Sequence, residues 1–172
     1  RRTQAMESEL QIASQIQSRL VPRSFPDFPG LEIDGYMRSA REIGGDYFDI
    51  IPVDRPDARE LFVTIGDVAG KGVPAGLMMS EMRACLRALV RTHRNPRSIL
   101  RELGPLLHED LRVSRGKFIS LLVLRFTAGE PKMVFSSAGH EHILHYRADS
   151  GSCRAYRSVG IVVGTPLDYY QN

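Results

Sequence analysis

The 172-residue sequence has no apolar run approaching the roughly 20 residues that a membrane-spanning helix needs. Its longest uninterrupted aliphatic stretch is Leu121–Leu124. The first twenty residues are polar and amphipathic and contain no apolar core of a signal peptide. The sequence opens at Arg1 rather than Met, so it reads as a piece of something longer, with an upstream segment left open. Cysteine is scarce: Cys85 and Cys153 do not make a disulfide framework, and a reduced, cytoplasmic compartment is expected. Cys85 falls in an apolar helical pattern and reads as a small core residue. Charge of one sign is scarce too, 23 basic against 20 acidic residues. A nucleic-acid binder concentrates Lys and Arg in a stripe. Here arginine is scattered, and its densest stretch, Arg83 to Arg101, fits the outer faces of helices. Neither nucleic acid nor a membrane surface is an expected partner. What remains is 42% apolar and 25% charged, the balance of a globular protein of about one domain with its own core.

Residues 1–20 read as a helix with a narrow seam of Met6, Leu10, Ala13, Ile16 and Leu20. That seam suits a coiled coil or a helix lying on a partner, and equally an amphipathic helix packed on its own domain. Pro22, Pro26 and Pro29 end it in a stiff connector. Alternation at Leu31, Ile33, Gly35 and Met37 predicts a half-buried strand, followed by strands near Tyr47–Val53 and Leu61–Ile65. A long helix follows, with Pro74 in its first turn and a stripe of Met78, Met82, Cys85, Leu86, Leu89 and Val90. The next helix takes Asn95 as N-cap and Pro96 at N1, with Ile99, Leu100, Leu103, Leu107 and Leu111 facing the core. Pro105 inside that pattern removes the hydrogen bond to the carbonyl of Arg101 and predicts a kink or two short helices. Strands over Phe118–Phe126, Lys132–Ser137, His142–Arg147 and Ser152–Ser158 then form an antiparallel meander. Strands, two helices, then strands argue an α+β fold with helices packed on a sheet.

Two segments place an aspartate where a strand meets a glycine-rich turn: Gly44-Gly45-Asp46-Tyr47-Phe48-Asp49 and Gly66-Asp67-Val68-Ala69-Gly70-Lys71-Gly72. Glycines let the backbone approach an ion or phosphate closely. Carboxylates with few imidazoles or thiolates suit a hard cation such as Mg²⁺ or Mn²⁺. The plainer alternative is that both are turns, with Asp67 capping the following helix. A P-loop fails twice: three residues, not four, separate Gly66 from Gly70, and Gly72 follows Lys71. Ser136-Ser137-Ala138-Gly139-His140, with His142 and His145 beyond, lacks the ligand set of a zinc site and the elbow of a serine nucleophile. It reads as a tight turn between strands.

In their order, "IASQIQSRLVP", "REIGGDYFDI", "IGDVAGKGVPAGLMMS" and "FSSAGHEHILHY" resemble the SpoIIE-like (RsbU/RsbP-type) branch of the PPM-type metal-dependent protein Ser/Thr phosphatases. The resemblance spans Ile12 to Gly164. It implies an αββα sandwich of two antiparallel sheets flanked by helices. It implies that Asp46 and Asp67 are metal-binding aspartates, that Val68 lends its backbone carbonyl, and that two Mn²⁺ or Mg²⁺ ions activate a water, so that no protein nucleophile is needed. Asp49, Gly45 and Gly70 take supporting roles. The implied substrate is a phosphoserine or phosphothreonine protein, typically a STAS-domain anti-anti-sigma factor in bacterial partner switching. Residues 1–22 match a linker to an upstream sensor or receiver domain and are the candidate for homodimerisation, with residues 23–172 the phosphatase domain. The linker and the segment 74–112 are expected to gate metal binding.

The family continues beyond Gly164-Thr165-Pro166-Leu167 with a motif that supplies a further metal aspartate. The sandwich is therefore expected to be incomplete at its C-terminal end, and this chain by itself is not expected to hold a catalytic metal pair. The competing expectation is a non-catalytic module of the same fold that docks a STAS protein or an anti-sigma kinase.

Overall fold

The computed structural model describes residues 2–38, 43–113, 117–157 and 159–165. Helix α1 (Arg2–Gln17) leads into the proline-rich connector. Strands β1 (Asp46–Asp54) and β2 (Arg59–Val68) form a hairpin, followed by helices α2 (Val73–Thr92) and α3 (Pro96–Val113). Strands β3 (Ile119–Thr127), β4 (Met133–Ala138), β5 (Ile143–Arg147) and β6 (Ser152–Tyr156) complete the described elements. All pairing is antiparallel, in a four-stranded sheet ordered β1-β2-β3-β4 and a two-stranded sheet β5-β6.

Alternation along β1 divides the large sheet into two faces. Tyr47, Ile51 and Val53 point to the helical side, where Phe62, Leu121 and Val123 join the α2 stripe and the α3 stripe in the main core. Met79, Met82, Leu86, Leu103 and Leu107 are fully buried there. Each contributes roughly 1.5–3 kcal/mol of transfer free energy. On the other face Ile50 and Leu61 pack with Phe28 in a smaller cluster flanked by Phe25, Leu31, Ile33 and Val63.

The helix ends follow the expected chemistry. Pro74 stands in the first turn of α2, after Gly72 at φ 70°. The Asn95 side chain accepts from the Arg97 N–H at 2.9 Å, as an N-cap should. At the C-terminus of α2 the Arg55 guanidinium donates to the carbonyls of Val90, Arg91 and His93, and Glu60, itself buried, holds Arg55 at 2.5 Å. A cation from the β1–β2 turn thus satisfies carbonyls that the helix leaves free.

Three expectations need correction. Residues 31–37 are not a strand: among the described residues their only bridge is Phe28 to Leu31. The alternation is real, but it reflects Leu31 and Ile33 packing on the sheet face rather than a hydrogen-bonded ladder. Helix α3 runs through Pro105 as one element, which removes the alternative of two short helices. Pro105 lies on its exposed side, as does Arg101, whose carbonyl loses the N–H, so water can replace the missing bond. The meander also breaks in two: β4 pairs with β3 and β5 with β6, and Gly139 at φ 63° turns the chain from one sheet to the other. Phe135 on β4 meets Tyr156 on β6 edge to face, with ring centroids 6.0 Å apart. The final residue of the strand expected over 152–158 and the end of the expected phosphatase domain, 166–172, lie outside the described residues.

Candidate metal centre

The β1–β2 register sets Asp46 directly opposite Asp67. Residues opposite each other on neighbouring strands share a face. Both aspartates accordingly line one cleft of about 380 Å³ with Phe48, Ile65, the segment 33–37 and His140. Like charges placed this way repel unless something positive stands between them. Neither carboxylate has a hydrogen-bond or ion-pair partner among the described residues. Burial, and then the Asp46 charge, raise the Asp67 carboxyl above its ordinary value, and His140 partly offsets this.

The backbone supports the pair through close approaches. The Val68 N–H donates to the Gly45 carbonyl at 3.2 Å. A Cβ on Gly45 would overlap the Val68 carbonyl oxygen and come within 3.0 Å of the Val68 Cβ, so only glycine fits. Gly70, at φ 115°, lies under Lys117, whose ammonium donates to the Ala69 carbonyl at 3.1 Å. Two unpartnered carboxylates beside a carbonyl oxygen form a hard, all-oxygen donor set, which suits Mg²⁺ or Mn²⁺. Among the described residues, no three His, Cys, Asp or Glu side chains converge as a metal-holding cluster.

Asp49 is elsewhere. Three residues from Asp46, it faces the helices and is fully buried. Arg87 of α2 grips it with two bonds, at 2.6 and 2.8 Å, and Arg83 lies 3.7 Å away. The Tyr47 hydroxyl donates to it at 3.0 Å, and burial beside this charge drives the phenol far above its ordinary value, so it keeps its proton. Asp49 therefore anchors α2 to the strand that carries Asp46.

Further residues approach the site or its supports from distant sequence. The Gln17 amide at the end of α1 clasps Gly44, donating to its carbonyl at 2.7 Å and accepting its N–H at 3.0 Å. Arg83 donates to the Leu20 carbonyl at 2.9 Å, which ties α2 to the segment after α1. His140 lies in the turn between β4 and β5, as the sequence suggested, and from there it enters the cleft. Its Nδ1 lies 2.9 Å from the Ser120 hydroxyl, and burial pushes the ring below its ordinary pKa. His142 and His145 do not line the cleft. The pairing of Ser137 with His140 is replaced by Ser120 with His140. Sequence spacing held no signal for Ser120, which reaches the site by standing opposite Asp67 on β3.

The family model of stage II sporulation protein E (SpoIIE) matches residues 57–172. The chain belongs to the SpoIIE family. Phosphoserine phosphatase RsbU of Bacillus subtilis is 27% identical over 166 residues, which cover 96% of this chain and 48% of that protein. The chain thus spans about half the length of this curated relative. The SiaA-PP2C domain of Pseudomonas aeruginosa superposes with a TM-score of 0.68 at 19% identity, covering 94% of this chain and 64% of that one. The RsbU and RsbW domains of Rv1364c from Mycobacterium tuberculosis give 0.61 at 24% identity, covering 75% and 35%. These two likenesses establish the fold: a SpoIIE-family chain with the PP2C type of architecture and antiparallel sheets. Membership also places the chain among PPM-type phosphatases of the RsbU kind, a family generally dependent on divalent metal.

Proposed function

We propose that this chain is the core of a metal-dependent protein phosphatase that hydrolyses phosphoserine or phosphothreonine, with a STAS-domain anti-anti-sigma factor as its class of substrate. The observation that carries this reading is the cross-strand pair Asp46–Asp67, two unpartnered carboxylates facing an open cleft. Asp46, Asp67 and the Val68 carbonyl would hold Mn²⁺ or Mg²⁺. When bound, the metal supplies an activated water and offsets charge on the phosphoryl group. The protein's own part is to hold the two carboxylates in register, through the glycines at 45 and 70 and the anchored Asp49. A catalytic pair of ions would need ligands beyond these.

Residues 1–22 are proposed as the link to an upstream sensor or receiver domain, and residues 23–172 as phosphatase domain. Met6 and Ile16 on α1 are 60% and 58% exposed, as a helix awaiting a second copy or a partner would have them. The Gln17 clasp on Gly44 and the Arg83 bond to Leu20 give that helix a mechanical route to the metal loop and to α2, in support of gating by the linker and the segment 74–112. No helix of the described residues is long and apolar enough to cross a membrane. We place the protein in the cytoplasm, with neither nucleic acid nor a membrane surface as a partner. The competing reading, a non-catalytic docking module, is favoured by one observation: among the described residues the carboxylate pair gains no third side-chain ligand.

The test is phosphate release from a phosphorylated STAS protein by the full-length protein with Mn²⁺. Release that is lost on chelation and in Asp46→Asn supports the phosphatase. Tight binding of the STAS protein with no release in any metal supports the module.

A further inference from the structure

We propose that His140 binds the phosphoryl group of the substrate: its imidazole donates an N–H to a non-bridging oxygen of a phosphoserine or phosphothreonine ester in the Asp46–Asp67 cleft. This rests on the phosphatase reading above. A phosphoester brings a charge of about −1.5 to −2 to a cleft already lined by three carboxylates, those of Asp34, Asp46 and Asp67. None of the described residues lining it is Lys or Arg, and His140 is the one imidazole among them. Among the described lining residues, the ring is the one side chain with a nitrogen to offer a phosphate oxygen.

Its position is fixed from several directions. Strand β4 ends at Ala138, and Gly139 turns the chain at φ 63°. The Gly139 N–H donates to the Gly160 carbonyl at 2.9 Å. A Cβ on Gly139 would overlap the Val162 side chain, so the turn that delivers His140 has no room to be rebuilt. Ser120, opposite Asp67 on β3, holds Nδ1 at 2.9 Å. With the Ser120 hydroxyl donating, a neutral ring carries its proton on Nε2. That nitrogen has no hydrogen-bond partner among the described residues. The ring also does not complete a three-residue metal cluster with the aspartates. In that tautomer it stands in the cleft beside the carboxylate pair with a free donor.

The experiment uses the full-length protein with Mn²⁺ and compares wild type with His140→Ala and His140→Gln. A phosphoserine peptide and p-nitrophenyl phosphate serve as substrates, inorganic phosphate as a competitive inhibitor, and calorimetry follows Mn²⁺ affinity. Loss of a hydrogen bond to a charged oxygen predicts a rise of about 10- to 100-fold in both KM values and in the phosphate inhibition constant for His140→Ala. His140→Gln, which keeps an N–H at similar reach, should recover much of that loss, and Mn²⁺ affinity should stay unchanged in both variants. Unchanged KM values and phosphate inhibition in His140→Ala overturn the proposal. So does a loss confined to the phosphoserine peptide, which would make the ring a proton donor to the leaving group. A parallel fall in Mn²⁺ affinity would make it part of the metal ligand set instead and equally overturns it. Wild type inert toward both substrates with Mn²⁺ bound refutes the phosphatase reading itself, and this inference with it.

Discussion

Replacing Asp67 by Asn should stabilise the protein without metal and destabilise it, relative to wild type, with metal. Asp46 and Asp67 face each other across the β1–β2 pair with no hydrogen-bond or ion-pair partner among the described residues, and His140 offsets their repulsion only in part. Removing one of two like charges at directly opposed strand positions relieves roughly 0.2–1 kcal/mol, and the exposure of both side chains argues for the lower half of that range. At about 2–4 °C per kcal/mol for a domain of this size, the thermal midpoint in EDTA should rise by about 1–2 °C. The pH dependence has a definite sign. The Asp67 carboxyl is held above its ordinary value by partial desolvation at the cleft wall and by Asp46. Stability from its protonated form is fully present below the ordinary carboxylate range and is lost as pH rises through the raised folded value. The advantage of Asp67→Asn therefore opens across that window and closes in acid. Mn²⁺ at about 100 times its Kd adds about 2.7 kcal/mol to wild type, so the order of the two midpoints reverses if the variant binds none. Thermal unfolding in EDTA and in Mn²⁺ measures both. A variant less stable than wild type in EDTA, or one that gains as much from Mn²⁺, would refute the reasoning.

Other substitutions probe the supports of the site. Arg87→Met removes the bidentate partner of a fully buried carboxylate. With Arg83 still nearby and Arg87 partly exposed, it should cost about 2–4 kcal/mol in urea unfolding. Arg83→Met, which loses the longer contact, should cost less, and equal costs would remove Arg87 as the anchor. Gln17→Ala leaves both backbone groups of Gly44 without their partner, so about 1–3 kcal/mol of stability should be lost and Mn²⁺ binding weakened. Unchanged metal affinity would uncouple α1 from the site. Gly45→Ala drives a methyl against the Val68 carbonyl, and an overpacking cost of about 1–3 kcal/mol should appear together with weaker Mn²⁺ binding. A variant with wild-type stability would show that this backbone approach is not tight.

Much of this structure is legible where a local rule and a tertiary need agree. Asn95, Pro96 and the stripe from Ile99 to Leu111 specify α3 because cap chemistry and burial point the same way. The alternation at Leu31 and Ile33 misleads because it reports burial, and a segment laid across a sheet face shows the same period as a paired strand. Pro105 misleads because only the fold shows that it faces solvent. Asp46 and Asp67 could be picked as a pair from their glycine-rich turns, and the hairpin register sets them opposite each other. Asp49 shares their motif but takes the other face, since an odd offset along a strand reverses direction. Ser120, His140 and Gln17 join the site across long sequence separations, which no local pattern encodes.

The most direct measurement is a calorimetric Mn²⁺ titration of this chain beside Asp46→Asn and Asp67→Asn. Saturable binding in wild type that is lost in both variants is the predicted result. Binding that survives in both, or that is absent from all three, would contradict a metal centre built on this carboxylate pair.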